Sequence, residues 1–210
     1  MDRPVTIHYQ RTKTDEIFLE IVYLFILPVV LIYLGVIPYG WRVLVLFVVS
    51  FMIMGIMRYQ RWSREKMGIT RLTYRAALAY GAFTLIGTVA VIGFARHLHY
   101  RPLDLDDWFL SWRLILFFIP LSVLQEVAYR GFLSARLKEL SNSPMHRILV
   151  NAGLFTLLHI FYPVPLIVLP IVLVAGLFFA ALYERYPNLL AISISHSILN
   201  FVAVLFGFFS

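Results

Sequence analysis

The chain carries one compact polar run in an apolar setting, LQEVAYRGF at residues 124–132. An acid and an arginine at the edge of hydrocarbon are costly, so such residues usually have a partner or a function. On a helix, Glu126 and Arg130 lie four residues apart on one face, in the acid-before-base order that favours an ion pair. Gln125 and Tyr129 lie on a neighbouring face that is rotated by about 100°. The run therefore predicts two adjacent polar stripes on one helix.

Two later stretches carry polar stripes of the same kind. In NAGLFTLLH, the residues Asn151, Phe155 and His159 recur every four positions. In SISHSILN, His196 and Asn200 are again four apart. Lipid cannot satisfy polar side chains or backbone groups, so three polar stripes on apolar helices are best satisfied when they face a shared interior. We therefore expect these three helices to meet.

Composition identifies the class of protein. Hydrophobic residues make up 61% and charged residues only 14%, and the mean hydropathy of +0.83 exceeds that of soluble domains. The net charge of +7 could suggest nucleic-acid binding. However, the basic residues collect in short loops between apolar segments, which indicates membrane topology instead. The sequence thus predicts an all-α, polytopic membrane protein with the lipid bilayer, and no nucleic acid, as its partner.

The apolar segments predict about seven transmembrane helices, each long enough or nearly long enough to cross hydrocarbon. Their predicted bounds are 17–37, 41–57, 76–95, 108–140, 147–161, 166–183 and 189–209. We divide the chain into a polar N-terminal segment, a group of N-terminal transmembrane helices with their loops, and a core with the three motifs, at 1–16, 17–107 and 108–210. The three polar motifs thus lie on three helices of the C-terminal half.

Charge also predicts an orientation. With a cytoplasmic N-terminus, 14 of the 18 basic residues fall in inner segments and 4 in outer ones, as expected for a multi-pass protein of the cell membrane. The predicted depths agree less well, because Glu126 and His196 lie nearer the inner side while His159 falls late in the short fifth helix. If the three meet, the helices must be staggered or the end of the fifth helix is misplaced.

The stretches QEVAYRGFL, FTLLH and HSILN, in this order, resemble the signature motifs of the CPBP (Abi) family of intramembrane proteases, which includes the CAAX prenyl endopeptidases. The family pattern is EExxxR, FxxxH and HxxxN or HxxxD. The resemblance covers residues 110–206 and implies a helical membrane core in which a glutamate and a histidine activate water. It also implies that a second histidine and the asparagine hold the oxyanion, and that the arginine orients the acids.

Matched position by position, the resemblance implies catalytic roles for Glu126, His159, His196 and Asn200. The orienting or structural residues on the same stripes are Gln125, Tyr129, Arg130, Asn151 and Phe155. Paired donors such as His196 and Asn200 suit an oxyanion in a low-dielectric site, where losing one donor raises the barrier by about 2.7–4 kcal/mol.

One position departs from the family pattern, since Gln125 stands where the first glutamate, the expected general base, belongs. Glutamine has no titratable carboxylate and cannot accept a proton from water. Glu126 could act as the general base after a local twist of the helix, or His159 could act alone as the base. Otherwise the protein does not cleave, and its pocket binds or signals.

The resulting functional prediction is an intramembrane endopeptidase acting on a membrane-associated peptide or protein, either prenylated or bearing a leader. The alternative is a catalytically impaired binding or immunity protein on the same scaffold. A transporter is less favoured, because the polar groups cluster in the C-terminal half and no repeat relates the halves. We expect no cofactor. A divalent metal held by Glu126, His159 and His196 is a further alternative, although no HExxH helix is present.

Overall fold

The long apolar segments fold as helices because a helix satisfies its own backbone polar groups in hydrocarbon. The computed structural model describes residues 12–102, 112–162, 165–206 and 208, with the backbone alone at 112–117. The described residues form seven helices, which confirms the all-α membrane fold. These are α1 (Lys13–Tyr33), α2 (Arg42–Tyr59), α3 (Tyr74–His97), α4 (Trp112–Glu126, continued by Val127–Leu133 and Ser134–Leu140), α5 (Pro144–Leu157), α6 (Pro165–Arg185) and α7 (Leu189–Leu205).

Four of these helices are long and apolar enough to cross a membrane, namely α1, α2 with its preceding turn, α3 and α6. They contain 21 to 24 residues, and 21 residues span about 31 Å, close to the thickness of the hydrocarbon. The apolar helix α7 is shorter. These lengths fit a multi-pass membrane protein. The predicted start of the fourth helix at residue 108, and most of the predicted N-terminal segment 1–16, lie outside the described residues.

Two helices contain a π-helical segment, Val22–Ile26 in α1 and Val127–Leu133 in α4. The first lies just before Pro28, whose ring cannot continue regular α-helical hydrogen bonding. The two segments pack together, because the ring of Phe25 lies 5.1 Å from that of Tyr129 in an edge-to-face arrangement. The sequence predicted a helix through 108–140, and its described part, 112–140, is helical, with a π segment that the periodicity did not predict.

One end of the bundle forms a layer of ion pairs, here called the polar end. Its members are Lys13, Glu20, Gln60, Lys66, Arg136 and Glu139. The Arg136 guanidinium contacts both oxygens of Glu20, at 2.6 and 2.8 Å, and the Oε1 of Gln60 at 2.7 Å. This layer joins the start of α1, the end of α2 and the end of α4. Helix α4, which carries the polar run, is therefore fixed at its C-terminal end by charged contacts.

The fifth helix is shorter than predicted, since it ends at Leu157 rather than at residue 161. Beyond it the backbone tightens into turns, in which His159 N donates to Thr156 O at 2.9 Å. The chain turns before α6 begins at Pro165, and Tyr162 precedes Pro163, a position that disfavours helical geometry. His159 therefore lies in the turn after α5 and not on its face.

Candidate active site

The polar run lies on the π segment of α4, and a side chain of α5 holds that segment in place. The carbonyl of Tyr129 accepts from the backbone N–H of Ser134 and from its hydroxyl at 3.1 Å. Asn151 Nδ2 also donates to the Tyr129 carbonyl, at 2.7 Å, and Asn151 is buried. A π segment changes the direction of the side chains that follow it and is common at functional sites. Asn151, predicted as an orienting residue, thus contacts the motif backbone.

Helices α4 and α7 run antiparallel and are joined by two polar contacts that form a ladder. His196 Nδ1 donates to Glu126 Oε1 at 2.6 Å. One helical turn away, Asn200 Nδ2 donates to the hydroxyl of Ser122 at 2.9 Å. The Ser122 hydroxyl in turn donates to the Phe118 carbonyl at 2.8 Å, so its lone pairs face Asn200. The structure therefore brings Glu126 to His196, the histidine of the third motif.

Arg130 completes this buried group. Its Nη1 lies 3.2 Å from Glu126 Oε1, and both side chains are 0% exposed. The rings of Phe155 and Phe179 flank the guanidinium, whose carbon lies 4.6 and 5.2 Å from their centroids. Among the described residues, Glu126 Oε2 and the Nε and Nη2 of Arg130 have no hydrogen-bond partner. Buried polar atoms are rarely left unpaired, so these atoms are available to water or to a bound polar group.

Phe155 lies at the centre of the three motifs. Its ring centroid is 5.3 Å from that of Tyr129, 4.8 Å from His159 and 5.6 Å from His196. Gly176 on α6 permits this close approach, because a Cβ there would lie 3.2 Å from the Phe155 ring. Phe155 thus brings the histidines of the second and third motifs together, although they lie on different elements.

The backbone of Phe155 also orients His159. The Phe155 carbonyl can only accept, so the His159 Nδ1, 2.8 Å away, must carry the proton of that hydrogen bond. In the neutral ring the Nε2 of His159 then has a free lone pair. No hydrogen bond joins this nitrogen to another described residue. The side chain is buried, so His159 presents a proton acceptor inside the protein.

Gln125 faces a different environment from its neighbour Glu126. The half-buried amide lines a cavity of about 190 Å³ between α1, α2 and α4. Tyr129 and the turn residues Leu158 and Tyr162 also line this cavity. The two adjacent motif residues thus point in different directions, as the 100° rotation per residue requires. The position of the family's first glutamate borders a cavity next to the turn that carries His159.

In the described ranges no three His, Asp or Glu side chains come together as potential ligands. Glu126 and His196 instead pair directly with each other. The alternative of a metal held by Glu126, His159 and His196 stays a prediction.

Sequence reasoning missed Ser122, which is fully buried and binds Asn200. A signal for it was present, because Ser122 precedes Glu126 by four residues and so extends the stripe of Glu126 and Arg130 by one turn. A serine on an apolar helix often bonds only to its own backbone, which is why the pattern alone did not single it out.

The comparison with known families agrees with this geometry. Residues 107–202 match the model of the family described as "type II CAAX prenyl endopeptidase Rce1-like". This part of the chain is therefore similar to the CAAX-type proteases of the CPBP family. The matched region contains the described parts of α4 to α7 up to residue 202, and with them all three motifs, whereas α1 to α3 lie outside the match. No curated protein and no solved structure matches the chain. The fold of this region is therefore that of a CAAX-type intramembrane protease.

Proposed function

We propose that this protein is an intramembrane endopeptidase that hydrolyses a peptide bond in a membrane-associated peptide or protein. The observation that carries the proposal is the meeting of the three motifs around Phe155. There a fully buried Glu126 pairs with His196. The ring of Phe155 contacts the rings of both His159 and His196. Such a buried group of titratable side chains is costly in an apolar core unless it has a function.

His159 is the proposed general base. Its Nδ1–H is held by the Phe155 carbonyl, so Nε2 is the nitrogen that accepts a proton. A water molecule attacks the scissile carbonyl carbon and passes its proton to Nε2. The same proton then moves to the leaving nitrogen as the carbon–nitrogen bond breaks. This route needs no carboxylate at position 125, which is glutamine in this chain.

His196 and Asn200 are the proposed oxyanion donors. The Nδ1–H of His196 is bound to Glu126, so His196 donates from Nε2 when it is doubly protonated. The adjacent carboxylate stabilises that cation. Asn200 gives one amide hydrogen to Ser122 and keeps the second for the oxyanion. Glu126 and Arg130 are then positioning residues that hold His196.

A second candidate function rests on Gln125. The cavity beside it has a neutral amide where the family pattern has an acid, so the protein could hold a membrane-associated partner without cutting it. In that case the site would serve binding or immunity. The two candidates differ in a single measurable property, namely cleavage by the natural protein.

The experiment is cleavage of a membrane-reconstituted library of prenylated and unprenylated peptides. The variants are His159→Ala, Asn200→Ala and Gln125→Glu, with His146→Ala as the matched control, since that histidine is exposed and outside the site. We expect the wild type and the control to cleave, His159→Ala to lose at least about 100-fold, and Asn200→Ala to lose about 100- to 1000-fold. Cleavage by Gln125→Glu alone would instead establish the binding function.

We also propose that the protein lies in the cell membrane with its N-terminus in the cytoplasm. In support, the start of α1 and the end of α4 share the polar end, where Lys13 binds Glu139 at 2.9 Å. The arginine-rich residues 58–75 reach the same end through Lys66, which also binds Glu139. Chemical labelling of single cysteines introduced at each end, in intact cells and in lysed cells, tests this orientation.

A further inference from the structure

The segment between α2 and α3, residues 58–75 and here called the basic loop, carries six of the 18 cations of the chain. It contains one lysine and five arginines, which are Arg58, Arg61, Arg64, Arg71 and Arg75. The lysine, Lys66, is bound to Glu139 at 2.9 Å. All five arginines are exposed, and none has a carboxylate partner among the described residues. Membrane topology requires only positive charge and does not distinguish arginine from lysine. The five exposed arginines are therefore available to an anion outside the protein.

The basic loop is held firmly by contacts that do not involve these arginines. Trp62 stacks on Phe132 of α4, with centroids 5.3 Å apart and planes 9° from parallel. The carbonyl of Gly68 accepts from Leu189 N at 2.8 Å. Gly68 has a φ of +77°, and a Cβ there would overlap the hydroxyl of Tyr183. The exposed arginines thus project from an anchored segment.

Two of the arginines occupy backbone positions that do not suit them. Arg61 has a φ of 51°, at the position after a helix end where glycine is usual. Its amide and the next one close the turn on Arg58 O and Met57 O, at 3.0 and 2.9 Å. Arg75 lies in the first turn of α3, where the helix dipole disfavours a cation. A bound anion would offset both costs.

The neighbours of these arginines indicate which anion. Tyr59 ends α2 and Tyr74 begins α3, and their side chains are 89% and 77% exposed. Ile69 and Leu72 are also exposed. Tyrosines at the ends of membrane spans lie at the level of the lipid headgroups, so the arginines share the level of the lipid phosphates. Arginine binds phosphate oxygens through two parallel N–H bonds, which lysine cannot do.

From these observations we propose that the basic loop is a binding surface for anionic phospholipid headgroups, recognised through their phosphates by the five arginines. The surface lies beside the active-site helix, since the Met67 carbonyl passes 3.5 Å from where a Cβ of Gly131 would be. The proposal does not rest on the protease function. It holds equally for a protein that binds without cleaving.

The test is the retention of phosphatidylglycerol by the purified full chain in mixed micelles with phosphatidylcholine, measured by native mass spectrometry. In the main variant all five arginines become lysine, which keeps the charge and the topology but removes the paired N–H geometry. The matched control is the change of the exposed Arg96 and Arg101 to lysine, near the opposite end of α3. We expect at least about fivefold weaker retention in the main variant and wild-type retention in the control.

Wild-type retention in the five-lysine variant would overturn the proposal, since the arginines would then act only through their charge. An equal loss in the Arg96 and Arg101 control would also overturn it. So would selective binding of a glutamate-rich peptide with no preference for phosphatidylglycerol, because the surface would then recognise an acidic protein. Circular dichroism and thermal unfolding of each variant show whether a loss reflects misfolding, and Arg71→Lys with Arg75→Lys provides a milder version that leaves the turn at Arg61 intact.

Discussion

The two faces of α4 differ in burial and in hydrogen bonding, although they are built from adjacent residues. The face toward α7 carries Ser122, Glu126 and Arg130, all fully buried and hydrogen-bonded. The face toward α1 and α2 carries Gln125 and borders a cavity. We call these the closed face and the open face. The departure from the family motif falls on the open face, so the closed face can hold the site together while the open face varies.

The largest expected effect is the loss of the buried pair on the closed face. Glu126→Ala leaves the Arg130 guanidinium in the core without its carboxylate, which costs about 3–5 kcal/mol for a buried ion pair. Gln125→Ala on the open face removes a half-buried amide and is expected to cost less than about 1 kcal/mol. The free energy of unfolding in mixed micelles, followed by far-ultraviolet circular dichroism, measures both.

The comparison between the faces would fail if the two variants lost equal stability. A double variant, Glu126→Ala with Arg130→Met, tests whether the loss of stability comes from the unpaired arginine. Removing both charges should restore much of the loss, because well-packed apolar side chains can replace a buried ion pair at little cost. Without such recovery, the stability of the closed face would come from packing around Phe155 rather than from the pair.

A smaller effect is expected at Ser122, the positioning residue of the closed face. Ser122→Ala removes the acceptor that orients Asn200, and a hydrogen bond of this kind contributes about 1 kcal/mol. If Asn200 holds the oxyanion, kcat should fall about fivefold while KM stays constant. Ser122→Thr keeps the hydroxyl and should recover most of the rate.

The matched control for Ser122 is Ser50 on α2, which is also fully buried but whose hydroxyl has no partner among the described residues. Ser50→Ala should leave kcat unchanged. If both alanine variants reduced kcat equally, or if threonine failed to restore it at position 122, the orienting role would be wrong.

The fold was largely predictable from sequence, because apolar length and four-residue polar spacing depend on local chemistry. Seven helices and three polar stripes followed from these patterns. The π segment did not, since it depends on Asn151 reaching the Tyr129 carbonyl from another helix. The partner of Glu126 was equally hidden, because His159 and His196 both belong to a polar stripe with four-residue spacing. The register between α4 and α7 decides which of the two histidines contacts Glu126. That register is set by packing and by the contact of Ser122 with Asn200.

The smallest expected effect concerns the polar end, which lies outside both faces. Partial burial acts to raise the pKa of Glu139, but hydrogen bonds from Lys66 and Lys13 and the charge of Arg136 outweigh it and lower the pKa from 4.5 to about 2. A lowered pKa means that folding favours the ionised form. This contribution is complete above pH 4.5 and is lost as the pH falls toward 2.

Glu139→Gln therefore tests whether loss of stability in acid arises at the polar end or at the closed face. The carboxylate is mostly but not fully buried, with 18% of its side chain exposed, so solvent screening limits its contribution to about 1 kcal/mol. Above pH 4.5 the variant should be less stable than the wild type by about this amount, and the two unfolding curves should converge as the pH approaches 2. Parallel curves would show that Glu139 does not carry the acid dependence.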